Sequence, residues 1–137
     1  MSFHFTFDSR LDVRYLQAIY ESNLTYAAKA FGVFIETFPS NLDIAREAIE
    51  SKRHGEGCIC IHRLKGGLAF VGLTQLEAVR AETEELVRSG NVEQARQKFA
   101  LLNEQFQETL PIIQKEYDRL CDFIKTCYQD VKNDHAD

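Results

Sequence analysis

Apolar residues recur every three or four positions along most of the chain, which is the spacing of one face of an α-helix. Alternation with period two is confined to Phe3, Phe5 and Phe7, a stretch too short to form a sheet. We expect these phenylalanines to pack across one end of the fold rather than to form a dimer contact. The pattern predicts a single all-α domain over residues 1–137, an antiparallel four-helix bundle with a short additional helix at the N terminus.

The first part of the chain is predicted to hold two helices. A short one fits residues 12–21, and a longer one begins at Ser22 or Asn23 and continues to about residue 49. Pro39 interrupts the longer pattern. Because proline lacks the N–H of the helical hydrogen bond, we expect it to kink this helix or to restart it.

The third predicted helix has an irregular start. Residues 51–57 are charged and contain two glycines, which indicates a loop or a frayed helix start. The helix is predicted from about Glu56 to Val71 and ends at Gly72, since glycine favours the conformation that terminates helices. Its apolar stripe consists of Cys60, Ile61, Leu64, Leu68 and Val71.

A capping pattern marks the start of the next helix. Thr74 followed by Glu77 matches a capping box, in which the hydroxyl and the carboxylate both bond to backbone amides at the helix start. This helix is predicted to run to Ser89 and to stop at Gly90.

The last helix is predicted to be the longest. Asn91 and Gln94 form a second capping pattern, and apolar residues follow at helical spacing. Pro111 is a candidate kink position, and the polar tail from about Gln129 is expected to fray. Residues 121–137 are therefore expected to form a C-terminal helical extension that ends in this frayed tail.

Composition and charge exclude several classes of protein. The chain has 137 residues, 45% of them hydrophobic, but no window approaches the ~18 consecutive apolar residues of a membrane span. Its first residues lack the basic and apolar regions of a signal peptide, and a net charge of −5 argues against a nucleic acid as partner. Without an export signal the four cysteines indicate free thiols, so we expect a cytoplasmic protein.

One histidine is placed where it can react. At about 100° per residue around the helix axis, His62 points nearly opposite the apolar stripe of the third helix. An imidazole directed to solvent is partly neutral and nucleophilic at neutral pH. Since many surface histidines have no role, the residues that share its face decide the interpretation.

Lys65 and Gly66 follow His62 by one helical turn and are predicted to share its face. The lysine can place its ammonium against an anion bonded to the imidazole. A glycine inside a helix costs about 1 kcal/mol relative to alanine. The gain we infer for Gly66 is open space beside His62 for the backbone of another molecule.

An apolar rim borders the same face. Ile59, Ala69 and Phe70 lie around the histidine, and Gly67 adds a second glycine to the floor between them. An exposed histidine, a cation, a glycine floor and an apolar rim are typical of a docking site for a protein that does chemistry on the imidazole.

The spacing of His62, Lys65, Gly66 and Gly72 resembles the motif of histidine-containing phosphotransfer (HPt) domains. The resemblance covers about residues 8–120, including the short first helix and the proline-containing second one. It implies a helical bundle that accepts a phosphoryl group on histidine from the aspartate of one receiver domain and passes it to another. Two features depart from the usual family pattern: Gly67, where the family usually has a small polar residue or Ala, and the start of the third helix, which contains Gly55 and Gly57.

The resemblance implies a role for each matching residue. His62 would be the phospho-acceptor, Lys65 would stabilise the phosphohistidine, and Gly66 would keep the approach to the ring open. Glu84 lies 22 residues after the histidine, where the family often has a Glu or Gln that binds the ring nitrogen facing away from the phosphate. Antiparallel helices also bring residue 84 level with residue 62, so this carboxylate is expected to accept from Nδ1–H and to leave Nε2 as the nucleophile. Arg88 matches a basic position of some members; alternatively it forms a solvated pair with Glu84.

The resemblance also implies partners. Receiver domains of response regulators, or a hybrid sensor histidine kinase, would dock on the exposed faces of the second and third helices and on the apolar rim around the histidine. The docking residues would be Ile59, Gly66, Ala69 and Phe70, together with Arg88 from the following helix. The receiver would supply Mg²⁺, and we expect the chain to need no cofactor or metal of its own. It has no glycine-rich nucleotide loop, so we predict a phosphoryl carrier without ATP-dependent kinase activity. We separately expect a monomer.

Two alternatives stay open at this point. In an unbroken helix His54, Cys58 and His62 lie on one ridge and could ligate Zn²⁺ or Cu, although the outer two are ~12 Å apart along the axis. Cys58 and Cys60 do not have the C-x-x-C spacing of redox proteins. The chain is alternatively a helical interaction module that binds signalling partners and is never phosphorylated.

Overall fold

The computed structural model describes residues 4–134, and within this range every regular element is an α-helix. The predicted all-α fold class is confirmed. None of the described helices is both long enough and apolar enough to cross a membrane. The helices are α1 (Val13–Tyr20), α2 (Leu24–Glu50), α3 (His54–Arg63), α4 (Gly67–Phe70), α5 (Thr74–Arg88) and α6 (Val92–Asp134).

Four helices pack in a ring around one core. α2 lies between α3 and α6, and α5 closes the ring because it also contacts α3 and α6. Short connections make successive helices antiparallel. The predicted four-helix bundle is therefore present, with α1 packed on α2 as the short additional helix and with α3 and α4 in place of one third helix.

Aromatic side chains form the centre of the core. Phe34 and Phe38 of α2 stack with ring centroids 4.6 Å apart, and Phe38 lies 4.9 Å from Phe106 of α6. Such ring pairs contribute about 1 kcal/mol each beyond their buried area. They fix α2 against α6, so that α2 forms a rigid wall next to α3 and α4.

Side chains cap the first two helices where the sequence predicts. Asp12 accepts from the N–H of Tyr15 at 3.1 Å, and Asn23 accepts from the N–H of Tyr26 at 3.0 Å. α2 then continues through Pro39 as one helix, so the proline does not restart it. Core residues on both sides of the proline hold the chain helical: Phe34, Phe38, Leu42 and Ala45.

The C-terminal helix is more regular than the sequence predicts. α6 passes through Pro111 as a single helix and extends to Asp134. The expectation that the chain frays from Gln129 is therefore wrong up to Asp134. Apolar residues as far along as Ile124 pack on the core, and a helix propagates from a packed segment more easily than it starts.

The predicted third helix consists of two helices. α3 begins at His54, earlier than expected, and ends at Arg63; a turn follows before α4 starts at Gly67. Gly66 in this turn has φ of 93°, a conformation that glycine adopts without steric cost. The expectation of one continuous helix is wrong here, whereas the predicted end at Gly72, whose φ is 78°, is confirmed.

α5 starts without the predicted capping box. Leu73 occupies the N-cap position, and the hydroxyl of Thr74 donates to Asp12 Oδ2 at 3.0 Å. The carboxylate of Glu77 accepts from Arg80 Nε at 2.9 and 3.0 Å. The prediction of a capping box is wrong because both of its side chains bind charged groups, which form stronger hydrogen bonds than backbone amides do.

The N-terminal segment packs along the C-terminal half of α6. The ring of Phe5 lies edge-on to Phe123 with centroids 5.4 Å apart, and the buried ring of Phe7 stacks on Phe31 at 6.3 Å. Phe5 and Phe7 therefore pack within the chain as expected. Phe3 lies outside the described residues.

A buried carboxylate fastens this segment to α6. Glu116 is 1% exposed; its Oε2 accepts the backbone N–H of Asp8 at 2.6 Å, and its Oε1 pairs with Arg119. Arg119 also donates to the carbonyl of Thr6 at 3.0 Å and lies over the ring of Phe5, 4.8 Å from its centre. The Glu116–Arg119 pair thus binds both the backbone and an aromatic ring of the N-terminal segment.

Candidate functional site

His62 lies near the C-terminal end of α3 with its imidazole in solvent. Its side chain is 60% exposed, whereas Ile61 and Leu64 are buried in the core. The two buried neighbours fix the rotation of α3 about its axis, and this rotation turns His62 outward. The predicted position opposite the apolar stripe is therefore present in the structure.

The carboxylate of Glu84, on α5, lies under the imidazole. Both of its oxygens are 3.2 Å from Nδ1 of His62, although the two residues are 22 positions apart in the chain. A carboxylate can only accept, so Nδ1 carries the hydrogen and, in the neutral ring, Nε2 carries the free electron pair. The contact therefore fixes both the orientation of the ring and its tautomer.

Two arginines of α5 hold Glu84 from the other side. Arg80 Nη1 donates to Oε1 at 2.7 Å, and Arg88 Nη2 donates to Oε2 at 2.6 Å. Burial of the carboxylate opposes its ionisation, but hydrogen bonds from the two arginines and from His62 outweigh that effect and lower the pKa of Glu84 from 4.5 to about 2. Glu84 is therefore fully ionised at neutral pH.

Sequence reasoning misses Arg80. Its side chain is only 4% exposed, and besides Glu77 and Glu84 it binds the backbone carbonyl of Ile61 at 3.3 Å. A buried guanidinium costs several kcal/mol unless charged or polar partners satisfy it, and these three acceptors do so. The pattern that could reveal it is the buried stripe of α5, which includes three polar residues at helical spacing: Leu76, Arg80, Thr83, Glu84 and Val87.

Lys65 follows His62 in the turn after α3. Its backbone N–H donates to the carbonyl of His62 at 2.9 Å, so the lysine lies one turn beyond the histidine, as expected. Its side chain is exposed, and within residues 4–134 it forms no ion pair or hydrogen bond. The ammonium is free to bind an anion attached to the imidazole.

Gly66 does not lie inside a helix, so the expectation of a mid-helix glycine is wrong. Its φ of 93° is the reason for a glycine at this position, because side chains strain the backbone there. An added Cβ would meet only the ring of Phe70, at 3.6 Å, which is an ordinary contact. The glycine therefore makes the turn that separates α3 from α4.

The residues expected to dock a partner differ in exposure. Ile59 and Phe70 are 54% and 45% exposed and lie before and after His62 in the chain. Ala69 and Gly66 are half-buried, and Arg88 is exposed but paired with carboxylates of its own helix. The two large side chains thus form the accessible apolar rim.

A groove between α2 and the α3–α4 segment continues this rim. Its volume is about 310 Å³, and its lining includes Arg63, the residue after His62. Lys29 adds a second positive charge to its lining. The apolar side chains that line it are Tyr26, Ala30, Val33, Phe34, Phe38, Leu64 and Phe70.

The alternative metal site has no geometric support. Over residues 4–134, no group of three His, Cys, Asp or Glu side chains is placed to hold a metal ion. His54 and His62 are eight positions apart, at the first and the second-last residue of α3. The four cysteines are free thiols, and Cys58 and Cys60 are both partly buried.

A family model described as Hpt domain matches residues 29–133, well over half of the chain. The chain belongs to the Hpt domain family. The match runs from α2 into the last turn of α6, so it starts later and ends later than the expected 8–120. Searches of curated proteins and of solved structures found no match.

Family membership places the His62 site in a chemical context. Hpt domains carry out histidine phosphotransfer in phosphorelays, where they work with receiver domains and kinases. A phosphorelay-related histidine phosphotransfer role therefore applies to this Hpt domain. His62, Lys65 and Glu84 all lie inside the matched segment.

Proposed function

We propose that this Hpt domain is a phosphoryl carrier in which His62 accepts the phosphoryl group of an aspartyl phosphate on one receiver domain and passes it to the aspartate of another. The observation that carries the proposal is the contact of His62 Nδ1 with both oxygens of Glu84, at 3.2 Å, on a histidine that is otherwise exposed. This contact combines a fixed ring, a defined tautomer and free access to Nε2.

The transfer forms one bond and breaks one. The electron pair of Nε2 attacks phosphorus, the bond from phosphorus to the aspartyl oxygen breaks, and the carboxylate leaves with the bonding pair. The ring then holds the phosphoryl group on Nε2 and the proton on Nδ1, so positive charge develops on the imidazole. Glu84 stabilises that charge from the opposite side of the ring. Transfer to the second receiver is the reverse step.

Phosphoryl transfer depends chiefly on in-line positioning and on neutralisation of the phosphoryl oxygens. Lys65 provides a cation one turn from His62 for this purpose. The Mg²⁺ bound by the receiver supplies the rest of the positive charge, so the proposal includes no cofactor and no ATP-dependent kinase activity of this chain.

The receiver docks along the groove between α2 and α3–α4. Within residues 4–134, Lys29, Arg63 and Lys65 form no ion pairs, although the whole chain has a net charge of −5. Two of these cations, Lys29 and Arg63, line the apolar groove, and the third follows His62 by one turn, so together they complement the acidic active site of a receiver. The complex is weak because a carrier has to release each partner. We further propose a monomer in the cytoplasm, where its free thiols stay reduced.

Transfer from phosphorylated receiver domains in the presence of Mg²⁺ tests the proposal. Intact mass should show one acid-labile phosphoryl group on the wild type and none on His62→Gln. His54→Gln is the matched control, because it removes an exposed histidine from the same helix, and it should be labelled like the wild type. Lys65→Ala should slow the transfer by about tenfold or more, since it removes one charge contact to the phosphoryl group.

Label that persists in His62→Gln would place the acceptor elsewhere. A folded wild-type protein that takes no label from any receiver tested would contradict the carrier role and favour the non-phosphorylated interaction module. Circular dichroism of each variant separates these results from loss of the bundle.

A further inference from the structure

A row of alternating charges lies along α5 beneath His62. It consists of Glu77, Arg80, Glu84 and Arg88, each one helical turn from the next. The two central members are nearly buried, with side chains 4% and 10% exposed, whereas Arg88 at the end of the row is in solvent. Electrostatic effects are screened least where water is excluded, so the buried Arg80 acts on Glu84 more strongly than the exposed Arg88 does.

Arg80 is the member of this row that reaches the backbone of α3. Its Nη1 donates to Glu84 Oε1 at 2.7 Å and also to the carbonyl of Ile61 at 3.3 Å. Ile61 directly precedes His62. One guanidinium therefore connects the backbone that carries the histidine to the carboxylate that holds its ring.

A carboxylate beside a histidine has two opposing effects on phosphoryl acceptance. It orients the ring, but its negative charge also favours the protonated imidazole, which has no electron pair left on Nε2. Positive charge behind the carboxylate weakens the second effect and leaves the hydrogen bond to Nδ1 in place. Arg80 supplies that charge from a buried position at one oxygen of Glu84.

We propose that Arg80 is a positioning residue of the phosphotransfer site: it holds Glu84 under the ring of His62 and offsets part of the negative charge that this carboxylate places beside the ring. The inference rests on the proposed role of His62 as phospho-acceptor. It also gives a functional reason for a buried arginine at a core position of α5.

The surroundings of His62 allow this effect to be isolated. α4 carries no titratable residue, and within residues 4–134 no side chain of α2 or α6 pairs with His62, Glu84 or Arg80. Glu84 contacts the ring, and Arg80 and Arg88 of α5 bind Glu84. The charged or titratable residues within one turn of His62 in the chain are Cys58, Cys60, Arg63 and Lys65.

An NMR titration of the His62 ring tests the inference without any phosphoryl transfer. Arg80→Met removes the charge behind Glu84, so the pKa of His62 should rise, by about one pH unit. Glu77→Gln removes the other carboxylate that binds Arg80, which leaves more positive charge acting on Glu84. The pKa of His62 should then fall, by a smaller amount. General loosening of the site does not produce shifts of opposite sign.

The pH dependence of phosphoryl acceptance provides a second readout. With phosphoramidate as donor, Nε2 forms a bond to phosphorus, the P–N bond of the donor breaks and ammonia leaves. Because only the neutral ring reacts, the acid limb of the rate profile should move to higher pH in Arg80→Met, in step with the pKa of His62. At pH values well above that pKa, the rate of phosphoryl acceptance by Arg80→Met should return to the wild-type rate.

Arg96→Met is the matched control. Arg96 pairs with Glu93 at 3.2 Å in the same i,i+3 arrangement, but on α6 and away from Glu84, so this variant should leave the titration of His62 unchanged. Arg80→Lys keeps the charge and should restore most of the wild-type behaviour.

An unchanged pKa of His62 in both Glu77→Gln and folded Arg80→Met would overturn the inference. If Arg80→Met does not fold, Glu77→Gln and Arg80→Lys decide: an unchanged pKa in Glu77→Gln, or a rise in Arg80→Lys as large as about one pH unit, overturns it. Failure of the proposed function is recognised separately, because receivers would then leave the wild type unlabelled while the shifts in the titration of His62 persist.

Discussion

Two nearly buried carboxylates, Glu84 and Glu116, have arginine partners on their own helices but opposite surroundings. Glu116 binds the backbone N–H of Asp8, and the N-terminal segment covers it. Glu84 binds the imidazole of His62, which is 60% exposed. Each carboxylate pairs with arginine, and the chemical difference lies in the remaining partner: a backbone amide inside the fold at one site, and a titratable ring open to solvent at the other.

This difference separates a structural ion pair from a reactive one. All hydrogen bonds of Glu116 join parts of the fold, so its loss should act on stability alone. Glu84 divides its bonds between a buried arginine, an exposed arginine and an exposed ring, so its loss should change both stability and the chemistry of His62. Substitutions at the two sites test this contrast.

Glu116→Ala should have the largest effect on stability. It leaves Arg119 and the N–H of Asp8 without their partner, and breaking a buried pair in this way costs about 3–5 kcal/mol. The lower part of that range applies because the side chain of Arg119 is 42% exposed. Urea denaturation measures the loss, and labelling of the folded fraction at His62 should stay at the wild-type level. A loss under about 1 kcal/mol would mean that aromatic contacts alone hold the N-terminal segment.

Glu84 should make the stability of the protein sensitive to acid. Its pKa falls from 4.5 in the unfolded chain to about 2 in the folded one, so its contribution is present above pH 4.5 and is lost as the pH falls through about 2. The contribution is up to about 3 kcal/mol. Glu84→Gln should reduce the slope of the free energy of unfolding against pH between these values. Glu85→Gln, which changes an exposed neighbour on α5, is the control and should keep the wild-type slope. Equal slopes for the wild type and Glu84→Gln would contradict the ion-pair network.

The smallest effects on stability should come from exposed aromatic residues, and they locate the docking surface. Phe70→Ala, beside the His62 groove, and Tyr128→Ala, on the last turns of α6, remove exposed rings, so each should change the free energy of unfolding by about 1 kcal/mol or less. Phe70→Ala should nevertheless raise the receiver concentration needed for half-maximal transfer several-fold, and Tyr128→Ala should not. The reverse result would place docking at the other end of the molecule.

Sequence patterns predict much of this fold. Helical spacing of apolar residues gives the four-helix bundle and the side of α3 on which His62 lies, because both depend on the regular rotation of the backbone. The partnership of His62 and Glu84 also follows from the family resemblance and from antiparallel packing of successive helices. These features need only spacing along the chain.

The missed features all involve competition between partners. Glu77 has the spacing of a capping residue but binds Arg80 instead, and Arg80 lies in the core because three acceptors meet there. Gly66 has the spacing of a residue on the face of His62, yet its backbone breaks the helix. Spacing alone does not reveal which of several possible partners a side chain takes.

The sequence by itself determined the helical bundle, the apolar faces of its long helices and the outward position of His62, since each of these depends on local backbone geometry. Only the tertiary structure decided that Thr74 binds Asp12, that Arg80 lies buried behind Glu84 and that Glu116 fastens the N-terminal segment. The physical reason is that a polar group removed from water takes the strongest partner within reach. Packing of distant helices sets which partners are within reach.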